Sequence, residues 1–135
     1  MQWTNFIKLY LLTIPIFFLI DMIWLGLIAK TFYRNQIGHL MSENVNWSAA
    51  LLFYLIFIVG ILFFAVLPAL KSGQWQQAAI YGALFGFFTY ATYDLTNLAT
   101  LRDWPIKVVI IDIIWGIVLC GLVAVSSFHV GKWVL

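Results

Sequence analysis

Four long apolar runs, each bounded by polar or turn-forming residues, account for most of this chain. They cover residues 6–29, 48–70, 77–98 and 106–128. A membrane-spanning helix needs about 20 mostly apolar residues. The pattern therefore predicts an all-α integral membrane protein, a four-transmembrane-helix bundle forming a single domain over residues 1–135. Between the first two runs lies the segment 30–46, KTFYRNQIGHLMSENVN. Its Tyr33, Ile37, Leu40 and Met41 recur at helical spacing, with Arg34, Gln36, His39 and Glu43 elsewhere. That spacing predicts a short interfacial amphipathic helix between helices 1 and 2, weakened at Gly38. KSGQWQ predicts a tight turn at Ser72 and Gly73. TLRDWPIK ends the third helix and starts the fourth, with Asp103 as the expected cap and Pro105 in the first turn. Pro15 predicts a kink in the first helix.

Composition narrows the class further. The chain is 64% hydrophobic and 9% charged, against about 25% charged in soluble domains, so it has too few polar groups to cover a water-facing surface. A net charge of +2 gives no case for a nucleic-acid partner. The first run contains Asp21 and no small-x-small cleavage site follows it, so it reads as a retained helix rather than a signal peptide. The lone cysteine, Cys120, sits mid-helix and reads as a packing residue. Trp3, Trp47, Trp75, Trp104 and Trp133 fall at expected helix ends, where the indole prefers the headgroup level. Trp24 and Trp115 lie inside helices, each three residues after an aspartate. Lys30, Arg34, Arg102 and Lys107 stand on one side against Lys8, Lys71 and Lys132 on the other, a small bias towards both termini outside.

Three aspartates interrupt the apolar runs. Asp21 comes late in the first helix, Asp94 late in the third and Asp112 early in the fourth. Successive spans run in opposite directions, so all three belong to one layer of the membrane. Asp112 lies about 8 to 10 Å inside the start of its helix. The layer sits below the connections that carry Lys30, Arg34, Arg102 and Lys107, and the three carboxyls could meet in one site. IDMIWLG at 20–26 and IDIIWG at 111–116 nearly repeat. Both copies lie at similar depth on antiparallel helices, which an inverted repeat would not give. A tandem duplication of two hairpins stays open.

An aspartate mid-span costs about 2.5 to 3.5 kcal/mol on insertion scales, and intramembrane acids face a bundle interior or a wet cavity. Tyr90, Asp94 and Asn97 share one helical face, flanked by Tyr93. Asp21 shares a face with Trp24, and Asp112 with Trp115 and Gly116. Three ionised carboxylates cannot sit together in low dielectric, so either protons or a cation must compensate them. Arg102, folding back from its loop, is the leading protein candidate. No cofactor motif and no His–x–x–x–His or Glu–x–x–His set is present, so no metal is assigned and the cofactor stays unknown. The competing reading is structural: Asp, Trp, Tyr and Asn as polar contacts between helices. Gly82 and Gly86 read as helix packing.

DxxWLG at Asp21–Gly26, YDLTNLATLRDWP at Tyr93–Pro105 and DxxWG at Asp112–Gly116 resemble the bacterial membrane-protein family catalogued as domain of unknown function 2177. The resemblance covers essentially the whole chain. It implies a small multi-pass protein of the bacterial inner (cytoplasmic) membrane and brings no established activity. From the residues, the expected function is an intramembrane carboxylate site that binds or processes a lipid or other amphiphile. Asp21, Asp94 and Asp112 would be its acid/base or cation-binding groups. Tyr90, Tyr93, Asn97 and Arg102 would orient the ligand, Trp24 and Trp115 would wall it, and Lys30 or Arg34 would join Arg102 on an anionic headgroup. The expected partners are membrane lipids, with a homodimer or a membrane-enzyme partner open. The alternatives are a proton-coupled carrier resembling the small multidrug-resistance transporters, and a non-catalytic subunit of a membrane enzyme.

Overall fold

The computed structural model describes all 135 residues and is helical, without strands. Helix α1 (Trp3–Ile23) runs into a π-helical turn, Trp24–Ile28, and a short helix α2 (Lys30–Ile37) follows. Helix α3 (Trp47–Ile61) continues through a second π-helical turn, Leu62–Val66, into α4 (Leu67–Ser72). Two long helices complete the chain, α5 (Trp75–Thr100) and α6 (Ile106–Val134).

Three of these rods, Trp3–Ile28, Trp47–Ser72 and Ile106–Val134, are long and apolar enough to cross a membrane. Helix α5 matches them in length, at 26 residues, but Thr89, Thr92, Asp94, Thr96 and Asn97 dilute its apolar character. Length and composition thus identify three crossings where four were expected. The outward faces carry exposed Leu11, Leu19, Leu52, Ile56, Phe88 and Leu122, an apolar surface suited to acyl chains and not to water.

Helices α5 and α6 share the most extensive contact in the molecule, and its cause is the absence of side chains. A Cβ on Gly82 would lie 2.6 Å from the Cys120 carbonyl oxygen and 2.7 Å from Ala124 Cβ. One on Gly86 would run into the carbonyl of Gly116, and one on Gly116 into the Tyr90 ring. The room left by Gly116 is therefore filled by protein. Helix α1 also packs on α6, where the buried hydroxyls of Thr13 and Ser127 hydrogen-bond at 2.7 Å. The main core, built from Leu9, Phe17, Ile58, Ile61, Leu119 and Val123 among others, fills the space between α1, α3 and α6.

Some local expectations change. Asp103 does not cap α6: it takes φ 60°, exposed in the bend, and Pro105 occupies the N-cap position. Helix α1 continues through Pro15 to Ile23, and its departure from α-helical bonding comes later, at Trp24–Ile28. The amphipathic segment is helical only to Ile37, then 3-10 over Gly38–Leu40. Phe32, Tyr33 and Ile37 pack on Trp104, Val108 and Val109, so α2 is docked on the protein. Trp104 is buried against the protein. Gly73 ends α4 with φ 76°, where a residue without Cβ is favoured.

The glycine contact makes a testable demand. Gly86→Ala must push α5 off α6 and is expected to cost about 1–3 kcal/mol. Gly121→Ala, whose Cβ would meet only ordinary contacts at 3.8 Å and beyond, is expected to be near neutral. Thermal melts in detergent that ranked the two variants equally would contradict this account.

Candidate functional site

The ends of α1 and α5, the start of α6 and the whole of α2 converge on one cavity of about 400 Å³. Asp21, Tyr54, Tyr90, Asp112 and Trp115 line its interior, and Lys30, Tyr33, Arg34 and Tyr93 belong to the same lining. All three aspartates are buried, yet they do not form one cluster. Asp94 and Asp112 bring their carboxyls within hydrogen-bonding reach of each other, while Asp21 lines the cavity on α1.

Each acid is held by a neutral donor from another element. Trp115 Nε1 on α6 donates to Asp21 Oδ1 at 3.1 Å. Trp104 Nε1 donates to Asp94 Oδ1 at 3.3 Å. The Tyr33 hydroxyl donates to Asp112 Oδ1 and accepts from Trp24 Nε1 at 3.2 Å. Trp24 and Trp115 stack with centroids 4.7 Å apart and planes 11° from parallel, so the two indoles brace each other while donating to different partners. Asp94 Oδ2 is buried without a donor. An orphaned carboxyl oxygen is costly, and two contacting carboxyls in low dielectric repel when both are charged. One proton held between Asp94 and Asp112 would relieve both costs. No set of three or more His, Cys, Asp or Glu side chains comes together in metal-holding geometry.

The cations are arranged differently from expectation. Arg102 is exposed in the bend after α5 and does not line the cavity, whereas Lys30 and Arg34 do. Neither pairs with an acid: the one contact of salt-bridge geometry brings His39 Nε2 to 3.7 Å from Asp103 Oδ2, between two exposed residues. Asn97 is half-buried and stands outside the lining, beside Tyr93. Sequence reasoning did not assign Tyr54, whose hydroxyl approaches Asp21, and it gave Tyr33 and Trp104 other roles. A hydroxyl within the apolar run LLFYLIFIV (residues 51–59) is the signal that could have marked Tyr54.

A second cavity, of about 330 Å³, opens between α3 and α5. Phe53, Phe57 and Thr89 line it alone, and Tyr54, Tyr90 and Tyr93 line both cavities. The chamber that holds the acids and the aromatic slot thus have three tyrosines in common.

A family model described as "Predicted membrane protein (DUF2177)" matches residues 6–129. The chain belongs to that family. No curated protein and no solved structure matches it. For this DUF2177 member the matched region contains every residue of both cavities, so the site lies in the part of the chain that defines the family.

Tyr33 is the hinge-pin between α2 and the buried acids. Burial raises its hydroxyl pKa above the ordinary value of 10.0, and the bond to Asp112 raises it further. Its stabilising contact is therefore complete below pH 10 and is lost as pH rises past the raised folded value. Tyr33→Phe is expected to speed amide exchange across Lys30–Ile37 about tenfold, the upper scale of interhelical hydrogen bonds in membranes. It should leave tyrosinate absorbance at about pH 11 unchanged. Loss of one tyrosine equivalent there would mean that the hydroxyl is not held as described.

Proposed function

We propose that this membrane protein binds an amphiphile within a bundle of four membrane-spanning helices, in a bacterial cytoplasmic membrane, with α2 at the interface. The fourth crossing is α5. Its threonines are compatible with lipid because they bond to their own helix: Thr89 to the Phe85 carbonyl at 2.8 Å, Thr92 to Phe88 at 2.6 Å and Thr100 to Thr96 at 2.8 Å. On this topology the bends at 38–46 and 101–105 share one side, and Ser72–Gln74 lies on the other. Single cysteines introduced at Glu43, Arg102 and Ser72 are expected to react with an impermeant maleimide from opposite faces of vesicles, the first two together. Labelling of Arg102→Cys together with Ser72→Cys, opposite Glu43→Cys, would remove α5 as a span.

The observation that carries the functional reading is the set of tyrosines common to both cavities. An amphiphile needs a polar chamber and an apolar channel in contact, and Tyr54, Tyr90 and Tyr93 belong to both. A tyrosine ring can face hydrocarbon while its hydroxyl faces polar groups. The volumes fall within the range of ligand cavities. In this reading Asp21 and Asp112 contact the polar part of the ligand, and the Asp94–Asp112 pair holds a proton beside it. Trp24 and Trp115 fix that floor.

Native mass spectrometry on gently purified protein, with lipid extraction alongside, tests this. A retained amphiphile is expected, at wild-type expression level. It should be lost in Phe57→Trp, which fills the slot, and weakened in Asp21→Asn, which keeps an acceptor for Trp115. Retention unchanged in both variants would refute the reading.

A further inference from the structure

The two cavities differ in the chemistry of their linings and have three tyrosines in common. The slot at Phe53 and Phe57 is apolar. Of the three tyrosines, Tyr54 reaches Asp21. Asp21 and Asp112 add acceptors, and α2 adds Lys30 and Arg34, both exposed, to the same lining. The two cations are four residues apart, hence on one helical face, and neither makes an ion pair within 4.0 Å. The acids meanwhile are satisfied by Trp115, Tyr33 and Trp104, which are neutral. Opposite charges therefore line a single chamber without neutralising each other, so an unpaired cationic pair is left for something that is not protein.

We infer that the ligand is a lipid phosphate with a hydrogen-bond donor between its tail and its phosphate. This rests on the amphiphile reading above. The tail occupies the slot between α3 and α5. A hydroxyl, or another donor next to the tail, bonds to Asp21 or Asp112, which can only accept when ionised. The phosphate bridges Lys30 and Arg34, since two cations one helical turn apart match a group with several charged oxygens. A cationic head would meet Lys30 and Arg34. An anionic head attached directly to its tail would place charge beside the carboxylates.

The test uses the full-length protein in neutral detergent micelles. Quenching of tryptophan fluorescence, compared with that of a Trp115→Phe variant, and native mass spectrometry give the readouts. The probes are lauroyl lysophosphatidic acid, lauryl phosphate without the hydroxyl, monolaurin without the phosphate, and glycerol 3-phosphate without the tail. Lauroyl lysophosphatidic acid is expected to bind at least about tenfold more tightly than each of the others, the scale of one charge-assisted hydrogen bond. Lys30→Gln with Arg34→Gln, both exposed side chains, is expected to reduce its affinity to that of monolaurin while leaving monolaurin binding unchanged.

Equal binding of lauryl phosphate would overturn the donor contact. Equal binding of monolaurin would overturn the phosphate contact, and in both cases the amphiphile reading would survive. Equal binding of glycerol 3-phosphate would show a site for free phosphate esters and remove the role of the slot. No binding of any tailed probe would bring down the amphiphile reading together with this inference.

Discussion

The approach of α5 to α6 at Gly82, Gly86 and Gly116 is the constraint on which the site depends. Backbone meets backbone there, with Cys120 and Gly116 carbonyls where side chains would otherwise stand. Helices held that close cannot place their polar residues apart. Asp94 and Asp112 flank the contact and are brought within reach of each other, and Tyr90 is pressed over Gly116. In hydrocarbon, where little separates one apolar packing from another, such small-residue contacts decide the arrangement of helices.

From that contact the polar network extends outward and ties the remaining elements down. Trp115 reaches across to Asp21 and connects α6 to α1. Tyr33 reaches Asp112 and connects α2 to α6, and Trp104 turns inward to Asp94 and fixes the bend between α5 and α6. The same bonds serve structure and chemistry. The donors hold the carboxyls in place without neutralising them, so the acids keep their capacity to accept from a ligand. The structural and functional readings of these aspartates are therefore compatible, since a contact between helices can also be the floor of a cavity.

The π-helical turns have a common position relative to the site. One, Trp24–Ile28, ends α1 beside the cavity and leads into α2. The other, Leu62–Val66, follows the half of α3 that lines the aromatic slot, and it packs on α5. Wide turns of this kind reorient the following segment without breaking the helix. Here the turn Leu62–Val66 and α4 meet α5, and the slot lies where α3 stands apart from it.

By itself the sequence determined the helical class, the membrane setting and the family. These follow from run length and from motifs such as DxxWG, which are local or one-dimensional properties. It also marked Trp24 and Trp115 as unlike the other tryptophans. Tertiary structure alone decided which groups touch. Arg102 and Trp104 show the difference: both follow α5 in the same short bend, yet Arg102 faces outward while Trp104 is buried against Asp94. A bend with Asp103 at positive φ redirects neighbouring side chains in ways no periodicity encodes. Lys30 and Arg34 reach the cavity because Phe32, Tyr33 and Ile37 dock α2 on the start of α6. Tyr54 joins them because α3 stands beside Asp21. Those contacts depend on how rods pack against one another, which the spacing along any single rod does not contain.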